Sequence, residues 1–205
     1  MLYYEIATLK TVIFGAAKAA AGLEAWLKAS EARGKLLGAW FNDIGGLNEV
    51  YILRSFDTLD AMMAERDRAL LSGNPMGCME FLINLTFDSY KIFDFLPEVQ
   101  PGSFGPVYEF RTYKTTLNGI AQTQNIWRDA MPKRLEYSPL TIAMYGLDGA
   151  PRMTHIWPYA SIEERSKIRA QAVADGIWPP KGGPDWLTPD MTSAIAMPMA
   201  FSPLK

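Results

Sequence analysis

The sequence predicts an α+β protein: two tandem βαββαβ repeats whose antiparallel sheets pack together as one intramolecular barrel. Three observations predict it. YEIATLK (Tyr4 to Lys10) returns as YEFRTYK (Tyr108 to Lys114) with Tyr, Glu, Thr and Lys unchanged, a displacement of about half the chain, as a duplicated unit requires. The same displacement sets LLGAWF (Leu36 to Phe41) opposite LTIAMY (Leu140 to Tyr145) and YILR (Tyr51 to Arg54) opposite HIWP (His155 to Pro158). After a one-residue slip it sets Arg66 opposite Arg169. Finally, strand-like and helix-like segments follow one order in both halves. A βαββαβ unit places both helices on one face of its sheet, so two bare faces in one polypeptide pack face to face or curl into a barrel.

The elements follow in order. Leu2 to Leu9 reads as a strand, and Ala16 to Arg33, alanine-rich with Leu23, Trp26 and Leu27 at helical spacing, as a helix closed by Gly34. LLGAWF and EVYILRSF are strands joined by the hairpin signal NDIGGLN (Asn42 to Asn48). LDAMMAERDRALL is a helix capped by Asp57 or Thr58, and FLINLTFDSY (Phe81 to Tyr90) closes the half. The Pro- and Gly-rich LPEVQPGSFGP is the connection, giving a first repeat over residues 1–96, a linker over 97–106 and a second repeat over 107–205. In the second repeat GLDGAP (Gly146 to Pro151) takes the hairpin position. Ser161 and Glu164 have capping-box spacing ahead of a helix, and TSAIAMPMAF (Thr192 to Phe201) is a strand limited by Pro198.

With 205 residues, 49% of them hydrophobic, and a formal charge of -2, the chain can bury a core and has no basic field for nucleic acid. One cysteine (Cys78) and one histidine (His155) exclude internal disulfides and multi-histidine metal sites, so no metal is expected. TVIFGAAKAAAG is interrupted by Lys18, and no uncharged apolar run reaches membrane-spanning length. Met1 as the mature start, a cytoplasmic location and no membrane partner are the expectations. Neither GNPMG nor PKGGPD is a phosphate loop and no nucleophile elbow occurs, so no cofactor is expected.

The run Gly34 to Leu70 resembles the NIPSNAP family. It carries Gly38, Ala39 and Trp40 on a strand, an Ile-Gly-x-Leu-Asn turn (Ile44, Gly45, Leu47, Asn48), an aromatic-bearing strand and an Arg-containing helix. Tyr108, Glu109, Arg111 and Tyr113 match that family's repeat opening. The resemblance spans essentially the whole chain and implies a ferredoxin-like fold of the dimeric α+β barrel type, commonly assembled into oligomers. It supplies no catalytic residue set. Ala7, Leu9 and GLDGAP depart from the pattern, so a site would be asymmetric.

Strand alternation places Glu109, Arg111 and Tyr113 on one face, and Tyr108 and Phe110 on the other. Assigning the more apolar face to the helices sends Glu109, Arg111, Tyr113 and Glu5 into the space between the sheets. Arg111 then clamps an anionic or carbonyl group, or is simply neutralised by Glu109. His155 and Trp157 share a face, and if it looks into the barrel, His155 is a candidate general acid or base, as is Glu109. The bland reading is a hydrogen-bonded packing histidine. Cys78 is expected to be buried rather than reactive. WPPKGGPDWLTPD, from Trp178 to Asp190, reads as an oligomer contact or a lid. Two functions compete: a small-molecule site in the barrel, or a self-associating scaffold with no ligand.

Overall fold

The computed structural model of the chain describes residues 2–181 and 185–205. The first half runs β1 (Tyr3–Thr11), α1 (Gly15–Leu27), β2 (Lys35–Ile44), β3 (Glu49–Phe56), α2 (Leu59–Leu70) and β4 (Leu82–Ile92). The second runs β5 (Val107–Thr115), α3 (Gly119–Arg134), β6 (Ile142–Gly146), β7 (Arg152–Tyr159), α4 (Ile162–Ala174) and β8 (Leu187–Pro198). The strands form one closed antiparallel barrel in the order β1-β3-β2-β8-β5-β7-β6-β4.

Two seams close it. β2 pairs with β8 (Trp40 opposite Pro198, Asn42 opposite Ala196), and β4 pairs with β6 (Tyr90 opposite Gly146, Ile92 opposite Met144). Closure removes the exposed sheet edges that each half would present alone. β8 ends at Pro198, whose missing N–H cannot extend a ladder. It begins at Leu187, five residues ahead of the expected Thr192.

The centre of the barrel is apolar and drawn from both halves: Tyr4, Ile6, Trp40 and Leu53 meet Tyr108, Phe110, Met144 and Ile156. The Trp40 ring lies 5.1 Å from Tyr108 and 5.2 Å from Phe110, which ties the sheets together across the axis. Such pairs add about 0.5–1.5 kcal/mol beyond area burial. A Cβ on Gly38 would collide with the Trp40 indole, so glycine there lets the ring fold back along its own strand.

Two layers outside the barrel hold the helices. Ala7 and Leu9 pack with Ala19 and Leu23 of α1, and Val107 packs with Trp127 and Met131 of α3. α2 is capped by Thr58, whose hydroxyl accepts from Ala61 N at 3.1 Å. α4 is capped by Ser161, accepting from Glu164 N at 3.0 Å, while Glu164 accepts from Ala160 N.

The expected facing of the strands is reversed. Tyr108 and Phe110 fill the barrel, whereas Glu5, Glu109, Arg111, Tyr113, His155 and Trp157 lie on the helix side. The reason is that the enclosed interior is walled by strands all round and is the drier compartment. α4, by contrast, is polar on most of its surface, with only Ala172 buried, and brings arginines to the sheet. α1 also stops at Leu27 rather than Arg33: beyond it Ala29 N–H donates to Trp26 O and Ala32 N–H to Ala29 O, three-residue turns instead of α-helical ones, and the Arg33 N–H goes to Glu65 Oε2 at 3.0 Å. Gly34, with φ 79°, turns the chain into β2 instead of capping the helix.

Candidate functional site

Each half buries one glutamate of its first strand beneath its second helix. Glu5 accepts from Arg54 Nη2 at 2.5 Å and from Arg66 Nε at 2.6 Å. Arg54 also reaches Glu65 Oε1 at 2.8 Å, and Arg68 binds the same carboxylate at 2.6 Å. Three guanidiniums thus face two buried carboxylates, with surface Glu31 4.0 Å from Arg68. Burial pushes the Glu65 carboxyl up, but the hydrogen bonds from Arg68 and Arg33 N and the charge of Arg54 hold it below its ordinary value.

The second half has the same plan and a different balance. Glu109 Oε1 accepts from Arg111 Nη1 at 2.7 Å, from Arg165 Nη2, and from Ser193 Oγ at 3.3 Å. Its Oε2 lies 3.5 Å from Arg169 Nη1. Burial pushes this carboxyl up, and the Arg165 and Arg111 hydrogen bonds with the charge of Arg169 outweigh it, bringing it down to about 2. A fourth guanidinium, Arg134, stacks 4.2 Å over the Trp157 ring and donates to Ser138 Oγ at 2.9 Å. Three guanidiniums therefore pair with one carboxylate among the described residues, and Arg134 adds its charge from the Trp157 ring without touching it.

Beside them, between the sheet and helices α3 and α4, is a cavity of about 220 Å³. Trp127, Trp178, Trp186, Tyr113 and Met153 form apolar walls, and Arg169 stands at its cationic side. The Trp127 and Trp178 rings meet edge to face at 4.7 Å, and Trp186 Nε1 donates to Thr123 Oγ1 at 2.9 Å. Both indoles of the Trp178 to Asp190 segment are thus turned onto their own helical layer. Residues 182–184, in the middle of that segment, lie outside the described residues.

His155 stands behind this wall, 5.0 Å from the Trp127 ring and 5.1 Å from Tyr113. Its Nδ1 accepts from Trp157 Nε1 at 2.6 Å, which assigns the proton to Nε2, and Nε2 has no hydrogen-bond partner among the described residues. Burial, reinforced by the positive charge of Arg111, lowers the imidazole to about 3, so it is neutral at ordinary pH. It can donate a hydrogen bond and is a poor base. Glu109, held at about 2 by its arginines, is not a proton carrier near neutrality either.

Of the residues expected at a site, Glu109, Arg111, Tyr113, His155 and Trp157 do come together, on the opposite side of the sheet. The Arg111 Nε donates to the Tyr113 hydroxyl, and the neutralising Glu109–Arg111 pair is formed. Glu5 is not among them, since it lies in the other half under α2. Missed were Trp127, Arg134, Arg165 and Arg169. A signal existed for the last: Arg66 and Arg169 align, and both reach the glutamate of their own half.

The barrel holds a cavity of its own at one mouth, about 480 Å³, lined by none of the anticipated candidates. Cys78 is buried, and burial pushes its thiol up to about 11, so it is inert. Among the described residues no group of three His, Cys, Asp or Glu side chains is placed to hold a metal. Nor is any helix there long and apolar enough to cross a membrane.

Known proteins place the chain. A candidate monooxygenase from Lactobacillus acidophilus matches over 96% of this chain and 93% of its own, with TM-score 0.66 and 12% identity. An anthrone oxidase-like protein matches over 97% and 91%, with TM-score 0.68 and 10% identity. A chlorite dismutase variant from Candidatus Nitrospira defluvii matches over 96% and 92%, with TM-score 0.56 and 12% identity. At such identities the likeness is one of fold. The NipSnap homolog of Dictyostelium discoideum is 23% identical over 144 residues, 69% of this chain and 65% of that protein's length. The NIPSNAP family model matches residues 4–84 and 108–203, and the chain belongs to the NIPSNAP family.

Proposed function

We propose that the cavity of the second half binds a small planar aromatic molecule carrying an anionic or carbonyl oxygen. The observation that carries this reading is the meeting of an aromatic-walled hollow with guanidiniums that outnumber their carboxylate. A cavity of about 150 Å³ suffices for benzene, so one ring with a small substituent matches this volume. Its faces would lie against Trp127, Trp178 and Trp186, and its oxygen would take Arg169, with Arg111 reinforcing through Tyr113. The fold neighbour described as anthrone oxidase-like fits an aromatic ligand, by analogy of fold alone. A scaffold with fully packed layers gives no account of this hollow.

Titration of the protein with benzoate and salicylate, followed by tryptophan fluorescence, tests the reading. Saturable quenching is expected, weakened at least about tenfold in Arg169→Ala by loss of a charge-assisted hydrogen bond. Arg66→Ala, the aligned change in the other half, should leave the titration unaltered. Absence of quenching at millimolar ligand, or equal affinity in Arg169→Ala, rejects it.

A further inference from the structure

We infer that the mouth of the barrel is a second binding site, for a neutral polyhydroxylated molecule of monosaccharide size. The inference is independent of the second-half cavity, because different residues on the opposite face of the sheet carry it.

Alternation fixes the lining. The inward positions of β1 run Tyr4, Ile6, Thr8 and those of β5 run Tyr108, Phe110, Thr112, so the interior passes from aromatic to hydroxylic toward one end. Thr192, Thr112 and Thr154 stand in register across β8, β5 and β7. Thr112 and Thr154 hydroxyls are 2.8 Å apart, and Thr154 Oγ1 reaches the Tyr90 hydroxyl at 3.3 Å. On the facing wall Asn42 Nδ2 donates to the Tyr51 hydroxyl at 2.8 Å, which donates to Glu49 Oε2 at 3.1 Å. Thr8, Thr112, Thr154, Thr192, Tyr51 and Tyr90 thus line one hollow from six strands.

Charge narrows the class of ligand. The two carboxylates at the mouth already have cations: Glu49 lies 3.5 Å from Lys10 Nζ, and Asp88 lies 2.7 Å from Arg152 Nη2. A cation finds them occupied, and an anion would lie beside two carboxylates in a hollow that no lysine or arginine lines. A purely apolar molecule would strip water from hydroxyls and give nothing back, at about 1–3 kcal/mol for each group left unpaired. A polyol matches, since each threonine and tyrosine hydroxyl both donates and accepts. Its C–H face can rest on Phe110 and Tyr51, whose rings are 4.9 Å apart at the floor. The volume, about 480 Å³, lies in the usual range of ligand sites.

Saturation-transfer NMR with D-glucose, D-galactose and myo-inositol at millimolar concentration tests this. At least one should receive saturation from the wild-type protein, and benzoate should not displace it. In Thr112→Val/Thr154→Val, which exchanges hydroxyls for methyls of the same shape, affinity should fall about tenfold for the two lost hydrogen bonds. Tyr51→Phe should weaken it several-fold and serves if the double variant does not fold. Arg169→Ala should bind as wild type. Failure of all three probes to receive saturation, retention of full affinity in the folded hydroxyl variants, or displacement by benzoate overturns the inference.

Discussion

The segment after the second helix does different work in the two halves. After α2 the chain makes two short turns, Pro75–Gly77 and Met79–Phe81, and drives Met76 and Cys78 into the layer beneath α1. The fit is close enough that a Cβ on Gly22 or Gly77 would strike the other's backbone. After α4 the corresponding segment instead brings Trp178 and Trp186 over a hollow. The charges differ in the same sense: two buried carboxylates answer three guanidiniums under α2, and one carboxylate answers three under α4. One architecture thus yields a filled, nearly balanced layer on one side and an aromatic, cationic recess on the other. Sites arise where packing and charge are left incomplete.

The largest expected effect tests the charge side of this contrast. Glu109→Gln leaves Arg111, Arg165 and Arg169 facing one another without an anion and should cost about 3–5 kcal/mol in urea unfolding. Glu5→Gln should cost less, because Arg54 keeps Glu65. Equal losses in the two variants would remove the asymmetry.

A pH profile sharpens it. The His155 imidazole takes its proton at about 3 in the folded chain and near 6.5 when unfolded. The unfolded state therefore binds the extra proton first as pH falls, and stability is lost below about pH 6.5, by up to about 1.4 kcal/mol per unit. Glu109, lowered to about 2 from 4.5, adds to the loss between those values. The profile of His155→Gln should be flatter from about pH 6 to 4, and a superimposable profile would contradict the buried neutral imidazole.

The smallest effect is one in which the halves should agree. Thr58→Ala and Ser161→Ala each remove an N-cap of similar geometry and should each cost about 1 kcal/mol in thermal unfolding. A clear difference between them would show that the helices are not equivalently held.

Much of the fold was legible because it rests on local rules. β3 over Glu49–Phe56, the caps at Thr58 and Ser161, and the end of β8 at Pro198 follow from alternation, capping chemistry and proline's missing donor. The set of residues sharing a face with Arg111 was legible too, since alternation decides it. Which way that face points was not. That depends on comparing two distant compartments, a barrel closed by the other half and a layer under α4, and one strand's letters carry neither. The polar character of IEERSKIRAQAVA was the available clue, because such a helix suits a sheet face bearing Glu109 and Arg111 better than one bearing Tyr108 and Phe110. The cavity walls came from Trp127 on α3 and from Trp178 and Trp186 of a later segment, which converge only when α3 and the final connection fold over the sheet.

The two seams that close the barrel join strands of a single polypeptide. A ring assembled from two separate copies must carry every substitution in duplicate, so any gain on one wall is imposed on the other. Here an arginine at 111 can face a different fate from the alanine at 7. One wall is left at liberty to specialise while its counterpart supplies rigidity.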